Sequence, residues 1–267
     1  MIHNLYKQRG ETPLERIQRF IADNPDFKKE KFTYLGRLDP IAEGVLLCAS
    51  GDDIKRKDEF LNFDKDYDFV ALFGFATDSY DVLGRVLRVE KLSPDAAELK
   101  DLELFKICKL YEGERLQQYP EFSSKVISKR KMLPSENPNL SGAATENISR
   151  EDDFITKDDF EPKKITIHKL EFNGRDSLKS KELFGRLLMD ISKVKGDFRQ
   201  HEILTLWKKL LNPAHEYHLG KFNAHVSSGT YIRGIVNDLG NTLGVGATSL
   251  SIRRTRVGDY KIGDSIK

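Results

Sequence analysis

The sequence predicts an α+β fold, with a central mixed, mostly antiparallel sheet flanked by helices and loops. Three observations predict it. Tyr67, Phe69, Ala71, Phe73 and Phe75 recur at period two, the spacing of a strand. Apolar stripes at helical spacing fall within 13–23, 180–211 and 230–243. Strand and helix patterns interleave without the βαβ rhythm of a parallel sheet.

Taken in order, residues 2–6 read as a short strand. Thr12-Pro13-Leu14-Glu15 is a capping box with proline at the first helical position. Leu14, Ile17 and Ile21 follow at helical spacing, so a helix runs over 13–23. Residues 33–50 carry few charges and many glycines and apolar groups, with a helix expected near Ala42. After the aromatic strand, Asp81-Val82-Leu83-Gly84 makes a turn into a strand at 86–89, and Ser93-Pro94-Asp95 opens a helix over 94–100. Residues 135–149 are polar and small and read as a loop. Residues 146–161 read as an acidic solvated loop.

Ile165, Ile167 and Phe172 mark a further strand. Two helices follow over 180–211, broken near Lys195-Gly196-Asp197. The first is expected to bury Leu183, Phe184, Leu187, Leu188, Ile191 and Val194, and the second Ile203, Leu204, Trp207, Leu210 and Leu211. A strand at 217–227, a helix at 230–243 and a strand or hairpin at 247–262 complete the chain.

The 267 residues are ample for a buried core, and 39% are hydrophobic, which excludes wholesale disorder. Charged residues reach 32%, yet 44 Lys+Arg against 42 Asp+Glu leave a net charge of only +2. A whole-molecule polycation is excluded, so an anionic partner would meet a local patch. The charge is segregated. Residues 104–132 hold seven basic and three acidic groups, 146–161 seven acidic and two basic, and 221–267 seven basic and three acidic. Cys48 and Cys108 lack the spacing of a zinc or redox pair, and the six histidines form no recognisable metal set. No signal peptide or membrane span is legible, so a cytoplasmic protein is expected.

Chemistry concentrates in Gly36-Arg37-Leu38-Asp39-Pro40-Ile41-Ala42-Glu43-Gly44. Proline restricts the residue before it, so Asp39 is constrained, and a carboxylate among apolar residues needs a partner. From the residues alone, Asp39 is either a turn aspartate capping a helix near Ala42 or a functional carboxylate. Further blocks follow: Lys65-Asp66-Tyr67, then Gly74 with Thr77-Asp78-Ser79-Tyr80-Asp81, then Gly229-Thr230-Tyr231-Ile232-Arg233, then Gly246-Ala247 and Arg253-Arg254-Thr255-Arg256-Val257-Gly258.

In that order and spacing the blocks resemble the TruB family of tRNA pseudouridine synthases. Gln118-Tyr119-Pro120-Glu121-Phe122-Ser123-Ser124-Lys125 also looks like the family's Q-x-P-x-x-S-A segment. The resemblance implies the pseudouridine synthase fold and isomerisation of uridine to pseudouridine without cofactor or metal. It implies Asp39 as the nucleophile and Tyr67 as the tyrosine that stacks on the target base and helps remove its C5 proton. It also implies Arg233 as the arginine paired with the nucleophile and Ile252 as an apolar pocket residue. Packing in the core is the plainer reading of Tyr67 and Ile252, whereas a surface helix position for Arg233 is disfavoured by four apolar neighbours on its helical face. The expected substrate is the T-arm uridine at tRNA position 55. The expected protein is a monomer without an obligate protein partner and away from membranes. The alternatives are the same chemistry on another RNA, or a non-catalytic RNA-binding or tRNA-folding protein.

Three departures stand out. Tyr34 occupies the place of a family histidine associated with the flipped nucleotide, and tyrosine can stack but does not titrate near neutrality. Lys7-Gln8-Arg9-Gly10 lacks the proline of the family's K-P-x-G. The Q-x-P-x-x-S-A segment carries Ser124 for alanine. The expected organisation is one catalytic domain over 1–267 with a helical insertion at 176–216 and no C-terminal PUA domain. Either the insertion's lysines and arginines supplement RNA binding or its helices simply buttress the sheet. The stretch 104–132 and Arg253, Arg254 and Arg256 are expected to meet phosphates.

Overall fold

A computed structural model describes residues 1–90, 101–119, 126–127, 130–131 and 161–267. The chain runs β1 (Ile2–Lys7), α1 (Pro13–Asp23), β2 (Phe32–Tyr34), β3 (Glu43–Ser50), α2 (Lys57–Leu61), β4 (Lys65–Phe73), β5 (Phe75–Thr77) and β6 (Val86–Val89). It continues α3 (Asp101–Tyr111), β7 (Gly113–Gln117), β8 (Val126–Ile127), β9 (Arg130–Lys131), β10 (Lys163–Lys179), α4 (Ser180–Ser192) and α5 (Gln200–Leu210). It closes with β11 (Glu216–Val226), α6 (Ile232–Thr242), β12 (Ala247–Val257) and β13 (Tyr260–Lys261).

The main sheet has the order β1-β3-β12-β4-β11-β10-β7, with β13 beside β12 and β2 beside β3. Every pairing is antiparallel except β12 with β3. The fold is thus α+β with a mixed, mostly antiparallel sheet, as expected. The alternation of β4 explains its two-sided core. Tyr67, Phe69, Ala71 and Phe73 face a cluster capped by α3 and α6, through Leu104, Ile107, Ile232, Ile235 and Leu239. Val70 and Leu72 face a second cluster formed by α4 and α5, centred on Leu183, Leu187, Ile203 and Trp207. Each such buried side chain contributes about 1.5–3 kcal/mol. Smaller clusters under α1 and α2 fill the β1–β3 end.

The capping box at α1 forms as the residues predict: Thr12 Oγ1 accepts from Glu15 N at 3.2 Å, and Glu15 Oε2 accepts from Thr12 N at 2.8 Å. The helix pair α4–α5 also forms, but Leu188 is exposed rather than buried. The expected helix near Ala42 is absent. Gly44 sits at φ +110°, and a Cβ there would lie 2.2 Å from the Arg254 carbonyl oxygen. That close approach presses an extended β3 against β12 and leaves no helix for Asp39 to cap. Helix α3 was not anticipated, because Leu102, Phe105 and Leu110 are exposed while Leu104, Ile107, Cys108 and Tyr111 are buried. Apolar residues on both faces blur its stripe. The helix expected at 94–100 and the loop at 135–149 lie outside the described residues, as does the acidic run 146–161 apart from Glu161. Among the described residues no helix is long and apolar enough to cross a membrane.

Candidate active site

The Asp39 loop is pinned from below and leaves its carboxylate in view. Leu35, Leu38, Ile41 and Ala42 are buried, and Leu35 N donates to Leu47 O at 2.8 Å. Asp39 itself keeps 29% of its side chain exposed. Its backbone carbonyl accepts from Ala42 N at 3.0 Å, which closes a turn over Pro40.

Two fully buried cations hold the loop's carbonyl groups. Lys7 Nζ donates to Ala42 O at 2.6 Å, to Gln8 O at 3.0 Å and to Pro40 O at 3.4 Å. Gly10 N also donates to Pro40 O at 2.8 Å. Burial pulls the Lys7 ammonium down to about 7, against the opposing pull of the Glu11 and Asp39 carboxylates. Arg254 Nε donates to Val45 O at 2.7 Å, and its Nη1 and Nη2 donate to Arg37 O and Gly36 O, each at 3.2 Å. Arg254 therefore cannot meet a phosphate as expected. At 1% exposure it is a brace of the loop. Arg253 and Arg256 are already paired with Asp68 and Asp66.

Register explains why these groups meet. A single row crosses the sheet: Lys7 pairs with Gly44, Gly44 with Arg254, Arg254 with Tyr67, and Tyr67 with Ala224. Tyr67 is buried in one cluster with Leu38, Ala42 and Ile252, so the residues flanking Asp39 pack with both expected pocket residues. Tyr34 lies elsewhere. It pairs with Cys48 on β2 and packs on the α1 cluster, with Lys57 Nζ 6.0 Å from the ring centroid. No hydrogen bond joins it to Asp39.

Arg233 reaches Asp39 from the first turn of α6. Its Nε donates to Asp39 Oδ2 at 2.9 Å, and its Nη1 donates to Ser79 O at 2.6 Å. Asp81 Oδ2 lies 3.7 Å from the same Nε, so one guanidinium serves two carboxylates. Burial works against the Arg233 charge, but Asp39 and Asp81 outweigh it and hold its pKa above the ordinary value. Burial raises the Asp81 carboxyl. Arg233 and the Ser79 hydroxyl oppose that rise, whereas the Asp39 charge adds to it. Asp81 Oδ1 accepts from Ser79 Oγ at 2.6 Å and from Leu83 N at 3.0 Å.

The start of α6 is fixed from β7. Gln117 Oε1 accepts from Tyr231 N at 2.8 Å, and Gln117 Nε2 donates to Tyr231 O at 2.9 Å. Tyr119 stands edge-on to Tyr231, with ring centroids 5.7 Å apart. Pro120 to Lys125 lie outside the described residues. Lys7, Asp81 and Gln117 were not singled out as site residues in the sequence, and Arg254 was expected in a different role. Asp81 and Lys7 stood within recognised blocks, but only the register shows what they touch.

The arrangement is a partly exposed carboxylate paired with a buried guanidinium, on a loop whose flanking residues pack with an aromatic and an apolar side chain. Such a site can deliver a carboxylate to an electrophilic carbon while a flat ligand packs alongside. The fold recurs among proteins of known structure. Two solved structures share it: a Cbf5–Nop10–Gar1 complex (19% identity, TM-score 0.52) and the archaeal box H/ACA sRNP Nop10–Cbf5 complex (17%, 0.51). Each likeness covers 97% of this chain, which spans about half the length of those chains (49% and 48%). The sequence model of the TruB family pseudouridylate synthase N-terminal domain matches residues 25–179, and the chain belongs to that family.

Similar curated proteins include the tRNA pseudouridine synthase B of Clostridium tetani, 27% identical over 98% of this chain and 69% of that protein. The namesake enzyme of Chlamydia felis is 28% identical over 89% of this chain and 75% of that protein. That of Aquifex aeolicus is 25% identical over 97% and 69%.

Proposed function

We propose that the chain isomerises a uridine of tRNA, the T-arm uridine at position 55, to pseudouridine, with Asp39 as the nucleophile. Residues 176–216 are read as an insertion within one catalytic domain that works as a monomer in the cytoplasm. The observation that carries the reading is the Asp39–Arg233 pair: a carboxylate open to a ligand, held by a buried arginine that also donates to Ser79 O and lies beside Asp81.

The product is an isomer of the substrate, so the bonds balance without any added group. The N1–C1′ bond breaks, the freed base turns, and a C5–C1′ bond forms. C5 loses a proton and N1 gains one. Asp39 supplies the carboxylate that assists departure of the base from C1′. Arg233 aims it through a charge-assisted hydrogen bond. Tyr67 and Ile252 would form the wall against which the base turns, after the nucleotide has left its stack.

The test is incubation with unmodified tRNA transcripts and mapping of pseudouridine at single-nucleotide resolution. Wild type should modify one T-arm uridine. Asp39→Ala should lower the rate by at least about 1000-fold in protein that circular dichroism shows to be folded, as expected for loss of a nucleophile. Equal product from Asp39→Ala would overturn the assignment, and modification at another site would redirect the substrate.

A further inference from the structure

Across the sheet from Tyr67, three side chains of metal-ligating type converge. Asp64 immediately precedes β4, His168 lies on β10 and His225 on β11, and one ligand atom from each falls within 4.8 Å of the others. Successive strand residues point to opposite faces, so Asp66, paired with His225, faces away from the pocket that Tyr67 enters. All three side chains are partly exposed, at 33–41%, and an ion could reach them from solvent.

We propose that Asp64, His168 and His225 form a binding site for a borderline divalent transition-metal ion, with Zn²⁺ the ion it fits best. Asp64 Oδ2 lies 3.2 Å from His168 Nε2 and 3.8 Å from His225 Nε2. Two ligands on tetrahedral zinc, each with a bond of about 2.0–2.1 Å, stand about 3.3 Å apart. The two separations from Asp64 thus bracket that spacing within half an ångström, and the two histidine nitrogens lie within 4.8 Å of each other, leaving the fourth position to water. Two imidazoles and one carboxylate also select against Mg²⁺ and Ca²⁺, which require oxygen ligands.

The surroundings fit the same reading. His225 Nδ1 lies 2.6 Å from Asp66 Oδ1 and 3.2 Å from Arg256 Nη2; the shorter contact, to an acceptor-only carboxylate, favours a proton on Nδ1 and leaves Nε2 as the ligand atom. Asp66 is in turn fixed by Arg256, whose Nε and Nη2 donate to its two oxygens at 2.6 and 2.9 Å. A carboxylate behind a ligating histidine is the usual support of a metal site. His168 owes its position to a β-bulge between Ile167 and Lys169, a device that re-aims a side chain. The rings of His168 and His225 then lie with centroids 4.7 Å apart at 31°. An ion held here would tie the segment before β4 to β10 and β11. The two histidines stand on different strands far apart in sequence, which hid the set from spacing rules.

Calorimetric titration of Zn²⁺ into the metal-stripped full chain tests this. One equivalent should bind with a dissociation constant of about 10 μM or tighter, unaffected by excess Mg²⁺. His168→Ala and His225→Ala should each weaken binding by about 100-fold, and Asp66→Asn by about 10-fold, as for ligands and their supporting carboxylates. Zn²⁺ should raise the melting temperature of wild type and of Asp39→Asn alike, but not that of the double histidine variant. No heat of binding to folded wild type would overturn the proposal. So would undiminished affinity in histidine variants whose circular dichroism shows them folded.

Discussion

The two faces of the central sheet are stabilised in opposite ways, and they meet at the turn over residues 77–84. On the α4–α5 face the contacts are apolar. Trp207 is fully buried with Leu183, Leu187 and Ile203, and its Nε1 donates to Val82 O at 3.2 Å. On the α6 face, by contrast, buried charge sits close to the apolar cluster, with Arg233, Lys7 and Arg254 each satisfied by carbonyl or carboxylate oxygens. The lesson is a division of labour. The hairpin supplies area and steadies the turn from behind, while the turn presents Ser79 and Asp81 to Arg233. Area tolerates small adjustments, whereas a satisfied buried charge does not.

Substitutions on the two faces should separate accordingly. Beyond Asp39→Ala, the largest effect belongs to the apolar face. Trp207→Ala should lower stability by about 3–5 kcal/mol in urea melts while turnover per folded molecule in the cold stays near wild type. Collapse of turnover in a fully folded variant would break the comparison. On the charged face, Arg233→Lys should cut kcat by about 100-fold with a much smaller change in KM, because an ammonium cannot hold Asp39 and the Ser79 carbonyl in one fixed fork. A KM effect alone would assign Arg233 to binding.

Lys7 sharpens the contrast through pH. Its folded pKa, about 7, lies below the ordinary lysine value of 10.5, so between those values the unfolded chain binds more protons. The burden on stability is full below pH 7 and is relieved as pH rises toward 10.5. Unfolding free energy should therefore carry a gain of about 2 kcal/mol from this residue between pH 6.5 and 9, and Lys7→Met should lose that slope. Lys65, lowered to about 8, should contribute in the same direction in both proteins. The smallest effect is at the seam. Arg199 is a third exposed and donates to Asp78 Oδ2 at 3.0 Å, so Arg199→Ala should cost about 1 kcal/mol or less.

Much of this architecture was legible because it is local. The α1 capping box, the β4 alternation and the stripes of α4, α5 and α6 each depend on residues a few positions apart. The Asp39 and Arg233 motifs were legible as blocks, and the structure brings those two side chains together. What was hidden is non-local. Gly44 suits many conformations, and only the nearness of Arg254 O makes it part of a strand rather than a helix. Arg254 read as a surface cation because its three carbonyl partners lie more than 200 residues away. Lys193, Lys195, Lys208 and Lys209 sit on a hairpin whose apolar side is already committed to the sheet, so they remain at its surface.

The row from Lys7 through Gly44 and Arg254 to Tyr67 also bears on how the protein comes into being. Its first and fourth members are made early, but the third is made only after nearly the whole chain. Asp39 likewise waits 194 residues for Arg233. Contacts of such separation form slowly, because long loops must close before they are rewarded. During synthesis the Asp39 loop therefore spends most of its time without its braces. The nascent chain carries Asp39 long before it carries the arginine that pairs with it, so the assembled pair is a late event in folding.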